Sequence, residues 1–143
     1  MMQHEKAIFS LSDGGAHCAL ITDASTPTFL LTYWVRDREK GEKFPIEWIV
    51  HQQTQKTARF YDMHDRGVIA PGMKADVNVI DFEGLTLHPP TVVYDLPAEG
   101  RRLVQRATGY EKTIVSGKVA FEGGEPTGVL GGKLIRGSQA APA

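Results

Sequence analysis

Cysteine is nearly absent from this sequence. Cys18 is the single one in 143 residues, which excludes an internal disulfide and any zinc site built from cysteine pairs. No apolar run approaches the length of about 18 residues that a membrane-spanning helix needs. Behind the opening Met1-Met2-Gln3-His4-Glu5-Lys6 there is no apolar stretch of signal-peptide length. Excess charge of one sign is missing too. The formal net charge is -1 and the basic residues are scattered, so there is no long-range pull towards nucleic acid or an anionic membrane. A free thiol without leader or span reads as a cytoplasmic protein. What is present is ordinary: 41% hydrophobic and 23% charged residues, the balance of a globular chain long enough to build one core.

The chain divides into two textures. Residues 1–66 read as one short strand followed by helices, and the remainder is rich in glycine and valine with strand-length runs. Ala7-Ile8-Phe9-Ser10-Leu11 is a short apolar run that opens into Ser12-Asp13-Gly14-Gly15, the pattern of a buried strand ending in a loop. Thr26 is placed as an N-cap with Pro27 at the first helical position, and Leu30, Leu31, Trp34, Val35 and Arg38 follow at helical spacing. A helix over 27–40, ended by Gly41, is expected. Pro45 opens a second helix, and Thr54 is a candidate cap for a third turn carrying Ala58, Phe60 and Tyr61. Beyond Gly67 the expected strands are Val77–Ile80, Arg102–Thr108, Lys112–Ser116 and Lys118–Glu122, with a tight turn at Ser116-Gly117. Leu85–Pro97, which contains Pro89, Pro90 and Pro97, cannot be a central strand or a helix. The tail over 137–143 is expected to be disordered. One buried strand followed by helices has no sheet partner of its own, so the first half reads as the closing unit of something larger.

Ser12-Asp13-Gly14-Gly15-Ala16-His17 is the sharpest chemical feature. An aspartate at the carboxyl end of a buried strand stands where barrel enzymes keep their chemistry. The same residues would equally serve an Asx-turn, with the carboxylate on the following amides. His17 could contact substrate or simply hydrogen-bond the backbone of its loop, and Cys18 reads as a small buried residue. Asp62, His64 and Asp65 lie close in sequence, but after a helix end they read as a solvated turn rather than metal ligands. Gly131-Gly132-Lys133 fails as a phosphate loop, because Thr127 holds the first glycine position and Leu134 the Ser/Thr position. Phe29, Tyr33 and Trp34 fit a helix packed on a wall better than a binding platform.

From Ser12–His17 the chain continues through Thr22-Asp23-Ala24-Ser25-Thr26-Pro27-Thr28 and Thr32-Tyr33-Trp34-Val35-Arg36-Asp37-Arg38. Later stretches are Asp65-Arg66-Gly67-Val68-Ile69-Ala70-Pro71-Gly72-Met73-Lys74-Ala75-Asp76, Asp95-Leu96-Pro97-Ala98, Gly100-Arg101-Arg102-Leu103, Val115-Ser116-Gly117 and Gly124-Glu125-Pro126-Thr127-Gly128. Taken in order, these resemble the C-terminal portion of the N-acyl-D-amino-acid deacylases (D-aminoacylases) of the amidohydrolase superfamily. The Asp65–Asp76 stretch is shared widely in that superfamily, whereas Asp23–Arg38 points to the deacylases.

The resemblance implies an α/β plus β fold. Residues 1–66 would be the last strand-helix unit of a (β/α)8 catalytic barrel, and 67–143 the C-terminal part of a small flanking β-sandwich. It implies a zinc-dependent hydrolase of amide bonds that converts N-acyl-D-amino acids to a carboxylate and a D-amino acid. Asp13 would be the catalytic base and acid, beside the metal and able to touch it, with His17 a substrate-binding candidate. The zinc would be bound by an upstream part of the barrel. No His-x-His pair exists in this sequence, and His4, His17, His51, His64 and His88 match none of the family's ligand places. The chain alone is therefore expected to be inactive, an enzyme's C-terminal fragment, with Met1-Met2 marking an internal start or a broken frame. The alternative is a non-catalytic subunit or relic module that needs a separate N-terminal barrel polypeptide. Among the departures from the family pattern, Tyr61-Asp62-Met63-His64 replaces a shorter link and Gly131-Gly132 stands in place of Pro-Gly.

Overall fold

A computed structural model describes residues 2–9 and 17–142. Asp13 thus lies outside the described residues, with its motif up to Ala16, as does the end of the expected strand at Ala7–Leu11. Ala7 to Phe9 is not in a strand. Its backbone is tied down locally, by the Ala7 N–H on the His4 carbonyl and by the Lys56 ammonium, which donates to the Ala7 carbonyl at 2.7 Å.

The first helix begins where it was expected, but Thr26 is not its cap. A 3-10 turn at Asp23–Ser25 leads directly into Thr26–Phe29, with Ser25 in the cap position and its hydroxyl donating back to the Thr22 carbonyl. Pro27 is accommodated in the first turn, where its missing N–H leaves nothing unsatisfied. The helix then widens to π-type winding over Leu30–Asp37 and closes with the Arg38 N–H on the Tyr33 carbonyl at 2.9 Å. It stops short of residue 40 because Arg38 turns extended, its guanidinium 4.3 Å over the Trp34 ring.

The second helix starts after Pro45 and runs through Ile46–His51, Gln52–Lys56 and Thr57–Phe60 without a break. The separate third turn expected at Thr54 does not exist. The Thr54 hydroxyl bonds back to the Val50 carbonyl at 2.7 Å, so it is satisfied inside the helix and is not free to cap a new one.

Eight strands follow: β1 Val77–Ile80, β2 Thr86–Leu87, β3 Thr91–Leu96, β4 Gly100–Val104, β5 Ala107–Thr108, β6 Tyr110–Val115, β7 Lys118–Glu122 and β8 Glu125–Pro126. They make an antiparallel sheet in the order β1-β6-β7-β8 and two ribbons, β2-β5 and β3-β4. The β6–β7 turn is the expected one, with Ser116 (φ 51°) and Gly117 (φ 77°) both in the left-handed region that matches hairpin twist. The expected strand at Arg102–Thr108 divides into β4 and β5, which pair with different partners. The Leu85–Pro97 segment does supply strands, β2 and, between Pro90 and Pro97, β3, each paired on one side only.

Leu30, Leu31 and Ile49 from the helices are buried with Leu85 from the β region, and Phe9, Trp34, Phe44, Trp48, Ile80, Phe82 and Tyr110 pack around them. The two sequence halves therefore share one core. Arg36 ties them further, since its guanidinium donates to the carbonyls of Phe82 (2.6 Å), Glu83 (3.1 Å) and Leu85 (2.8 Å) while holding Asp37. A row of aromatic contacts runs Phe9–Trp48–Phe44–Trp34–Tyr33–Phe29, with ring centroids 4.7–5.6 Å apart. The tail expected to be disordered makes defined backbone contacts at Gln139, which forms a parallel bridge with Met63.

Candidate active-site loop and its supports

The last residue of the Asp13 motif, His17, is described, and Cys18 follows it. His17 is exposed and left-handed (φ 50°), and its carbonyl accepts the N–H groups of Leu20 (2.8 Å) and Ile21 (3.1 Å). A non-glycine residue in this region is held there by its surroundings; here two amides converge on its carbonyl. Cys18 is half-buried rather than fully buried, and its carbonyl accepts the Leu103 N–H at 2.8 Å. The hairpin β3–β4 is thereby hydrogen-bonded to the chain one residue beyond His17.

Beside Leu103 the two strands of the hairpin are joined by an ion pair. The Arg102 guanidinium grips the Asp95 carboxylate with two bonds, at 2.7 and 2.6 Å. The Asp95 carboxyl is held below the usual range by its bonds to Arg102, and the Arg102 guanidinium is raised in turn, first by its bonds to Asp95. The hairpin tip places Ala98 (φ 58°) and Glu99 (φ 57°) in left-handed backbone.

The Asp62, His64 and Asp65 group has no metal-like convergence. His64 Nε2 lies 3.7 Å from Asp62 Oδ1, while both Asp65 oxygens are occupied by Arg66 at 2.7 and 2.9 Å. Among the described residues no three His, Cys, Asp or Glu side chains come together to hold a metal ion. They therefore do not fit a zinc centre.

The boundary stretch Asp65–Asp76 has a structural job that its sequence did not disclose. Asp76 accepts from the Lys74 ammonium at 2.7 Å and from the Ser116 N–H at 2.8 Å, with Arg66 at 3.8 Å. Lys74 N–H meets the Asp65 carbonyl at 2.7 Å, and Gly117 N–H the Ala75 carbonyl at 2.9 Å. The loop is thus stapled to the β6–β7 turn. Between this loop, the helices and the sheet lies a cleft of about 440 Å³, walled by Leu31, Val50, Val68, Met73, Val77 and Ile80 among others. Neither His17 nor Cys18 lines it. No helix among the described residues is long and apolar enough to cross a membrane.

Sequence reasoning missed the Leu103–Cys18 bond, the Asp95–Arg102 pair and the Asp76 staple. The Leu103–Cys18 and Ser116–Asp76 bonds join residues far apart in the chain, and the Asp95–Arg102 pair forms only once the hairpin sets its register, so no local spacing signals them.

No curated protein and no solved structure matches the chain. The model of one family does match, over residues 1–121, a span that takes in the Asp13 motif, both helices, the Asp65–Asp76 stretch and most of the sheet. With most of its length inside that match, the chain belongs to the amidohydrolase family.

Proposed function

We propose that this amidohydrolase chain contributes Asp13 to the hydrolysis of N-acyl-D-amino acids, releasing a carboxylate and a D-amino acid. One observation carries the reading: a single family match covers both the Ser12–His17 motif and the Asp65–Asp76 boundary stretch. The deacylase-like residues at Asp23–Arg38 supply the substrate class.

In this reading Asp13 is a general base and then a general acid. Its carboxylate takes a proton from the water that attacks the acyl carbonyl. It returns that proton to the amine nitrogen as the C–N bond breaks, so the amine leaves neutral and the acyl carbon keeps the water oxygen. His17, beside the motif and exposed, is offered as a substrate contact. The β3–β4 hairpin, bonded to Cys18, supports the loop. The described residues do not fit a zinc ion, so zinc belongs to this reading only as a group held by the upstream part of the barrel, which an N-terminal barrel polypeptide would supply. That polypeptide is the proposed partner, and the cytoplasm the proposed compartment.

The test pairs this chain with an upstream amidohydrolase barrel polypeptide that carries a His-x-His pair. D-amino acid released from N-acetyl-D-amino acids is then measured. The expected result is no release by the chain alone and chelator-sensitive release by the pair, lost in Asp13→Asn. A pair that associates yet releases nothing replaces this reading with that of a non-catalytic subunit.

A further inference from the structure

After β8 the chain runs without secondary structure over 127–142 and returns to the end of the second helix. It is fixed at both ends. On the sheet, Thr127 donates its N–H to the Ala120 carbonyl at 2.9 Å and its hydroxyl to Val119 at 2.8 Å. Gly131 passes so close to β6 that a Cβ there would stand 2.6 Å from the Val115 carbonyl oxygen. On the helical side, the Gln139 N–H donates to Asp62 at 2.8 Å and its carbonyl accepts from the His64 N–H at 2.9 Å. Pro142 then lies against Gly72, where an added Cβ would meet it at 3.1 Å. Between these anchors Leu130 and Leu134 are 96% and 78% exposed, so the segment gains little hold from packing of its own.

The bodies joined by this segment are the same ones that wall the cleft. Val50, Gln53 and Thr54 come from the second helix, Val68 and Met73 from the loop held by the Gln139 and Pro142 contacts, and Val77, Ile80 and Tyr110 from the sheet. We propose that residues 127–142 are a strap, and that the Gln139 clip on Asp62 and His64 sets how far the cleft between helix, loop and sheet opens. Two surface backbone bonds release far more readily than the shared core unfolds, so latched and released forms exchange within the folded protein.

Two changes to the full chain test this. One removes residues 138–143. The other introduces cysteines by Met63→Cys and Gln139→Cys in a Cys18→Ser background; the two residues are partners in a parallel bridge, and paired strands lie about 4.8 Å apart, within the span of a disulfide. The readouts are hydrogen exchange at the Lys74 amide, which lies in the loop and donates to the Asp65 carbonyl rather than to the strap, and fluorescence of an apolar dye. Removing the clip should speed Lys74 exchange by about tenfold or more and raise dye binding. Oxidising the cysteine pair should slow exchange and lower dye binding relative to the same protein reduced. Equal Lys74 exchange and equal dye signal in all forms would overturn the proposal. Should the shortened chain fail to fold, the oxidised and reduced forms decide it alone.

Discussion

The hydroxyls of Thr28 and Tyr110 meet at 2.7 Å, joining the buried face of the first helix to strand β6. Thr28 is 7% exposed, so a hydroxyl left there without a partner cannot turn to water.

Tyr110→Phe should therefore cost about 1 kcal/mol, mostly the penalty of stranding the Thr28 hydroxyl. Thr28→Val removes the other partner. A double-mutant cycle by urea denaturation should return a coupling of about 0.5–1.5 kcal/mol. Additive losses would mean that the two hydroxyls are satisfied elsewhere.

Arg36→Ala should be one of the more damaging single changes outside the apolar core. It frees the carbonyls of Phe82, Glu83 and Leu85 at once, and hydrogen bonds to a charged donor contribute about 1.5–3 kcal/mol each before relaxation. Arg36→Lys should restore only part of the loss, because an ammonium lacks the planar fork that reaches Asp37 and the carbonyls together. The shift in thermal midpoint checks both.

Acid should loosen the boundary loop. Burial pushes the Asp76 carboxyl up, but the Lys74 bond, the Ser116 N–H and the charges of Lys74 and Arg66 outweigh it, leaving the group below its usual range. A carboxyl depressed in the folded state contributes stability that is fully present above its unfolded value, about 3.9. That contribution is lost as pH falls through the folded value. The urea midpoint should thus fall as the pH drops below about 4, and Asp76→Asn should flatten the fall while lowering the midpoint near pH 7.

In a complete, active pairing, Asp13→Asn should lower kcat by at least about 10²-fold with little change in KM, since the amide cannot accept the proton. His17→Ala should cost less. If the ranking reverses, the proton-transfer role belongs to His17 and the family reading stands without this mechanism.

What the sequence disclosed is what short-range physics decides. The β-branched run Val77-Asn78-Val79-Ile80 and the Ser116-Gly117 turn predict β1 and the β6–β7 hairpin, and both are present. The spacing of Leu30, Leu31 and Trp34 predicts the first helix to within three residues of its end. Thr54 misled because a threonine hydroxyl caps a helix or bonds back into one equally well, and only the continuity of the backbone decides. The Arg36 grip on Phe82 and the Asp76 bond to Ser116 bridge residues 46 and 40 positions apart, beyond any periodicity. At the candidate site, the Asp13 motif was legible as a pattern, but the Leu103 bond to the nearby Cys18 was not.

The aromatic row in the helical half has an optical consequence. The chain's two tryptophans, Trp34 and Trp48, both belong to it, each touching Phe44, and none lies beyond residue 48. Tryptophan emission therefore reports on the helices alone, while β-sheet circular dichroism reports on the remainder. If Leu85 and Arg36 truly weld the halves, the two signals will lose their native values at one denaturant concentration. If the weld is weak, they will separate, and the gap between the curves will measure how far the helices melt independently of the sheet.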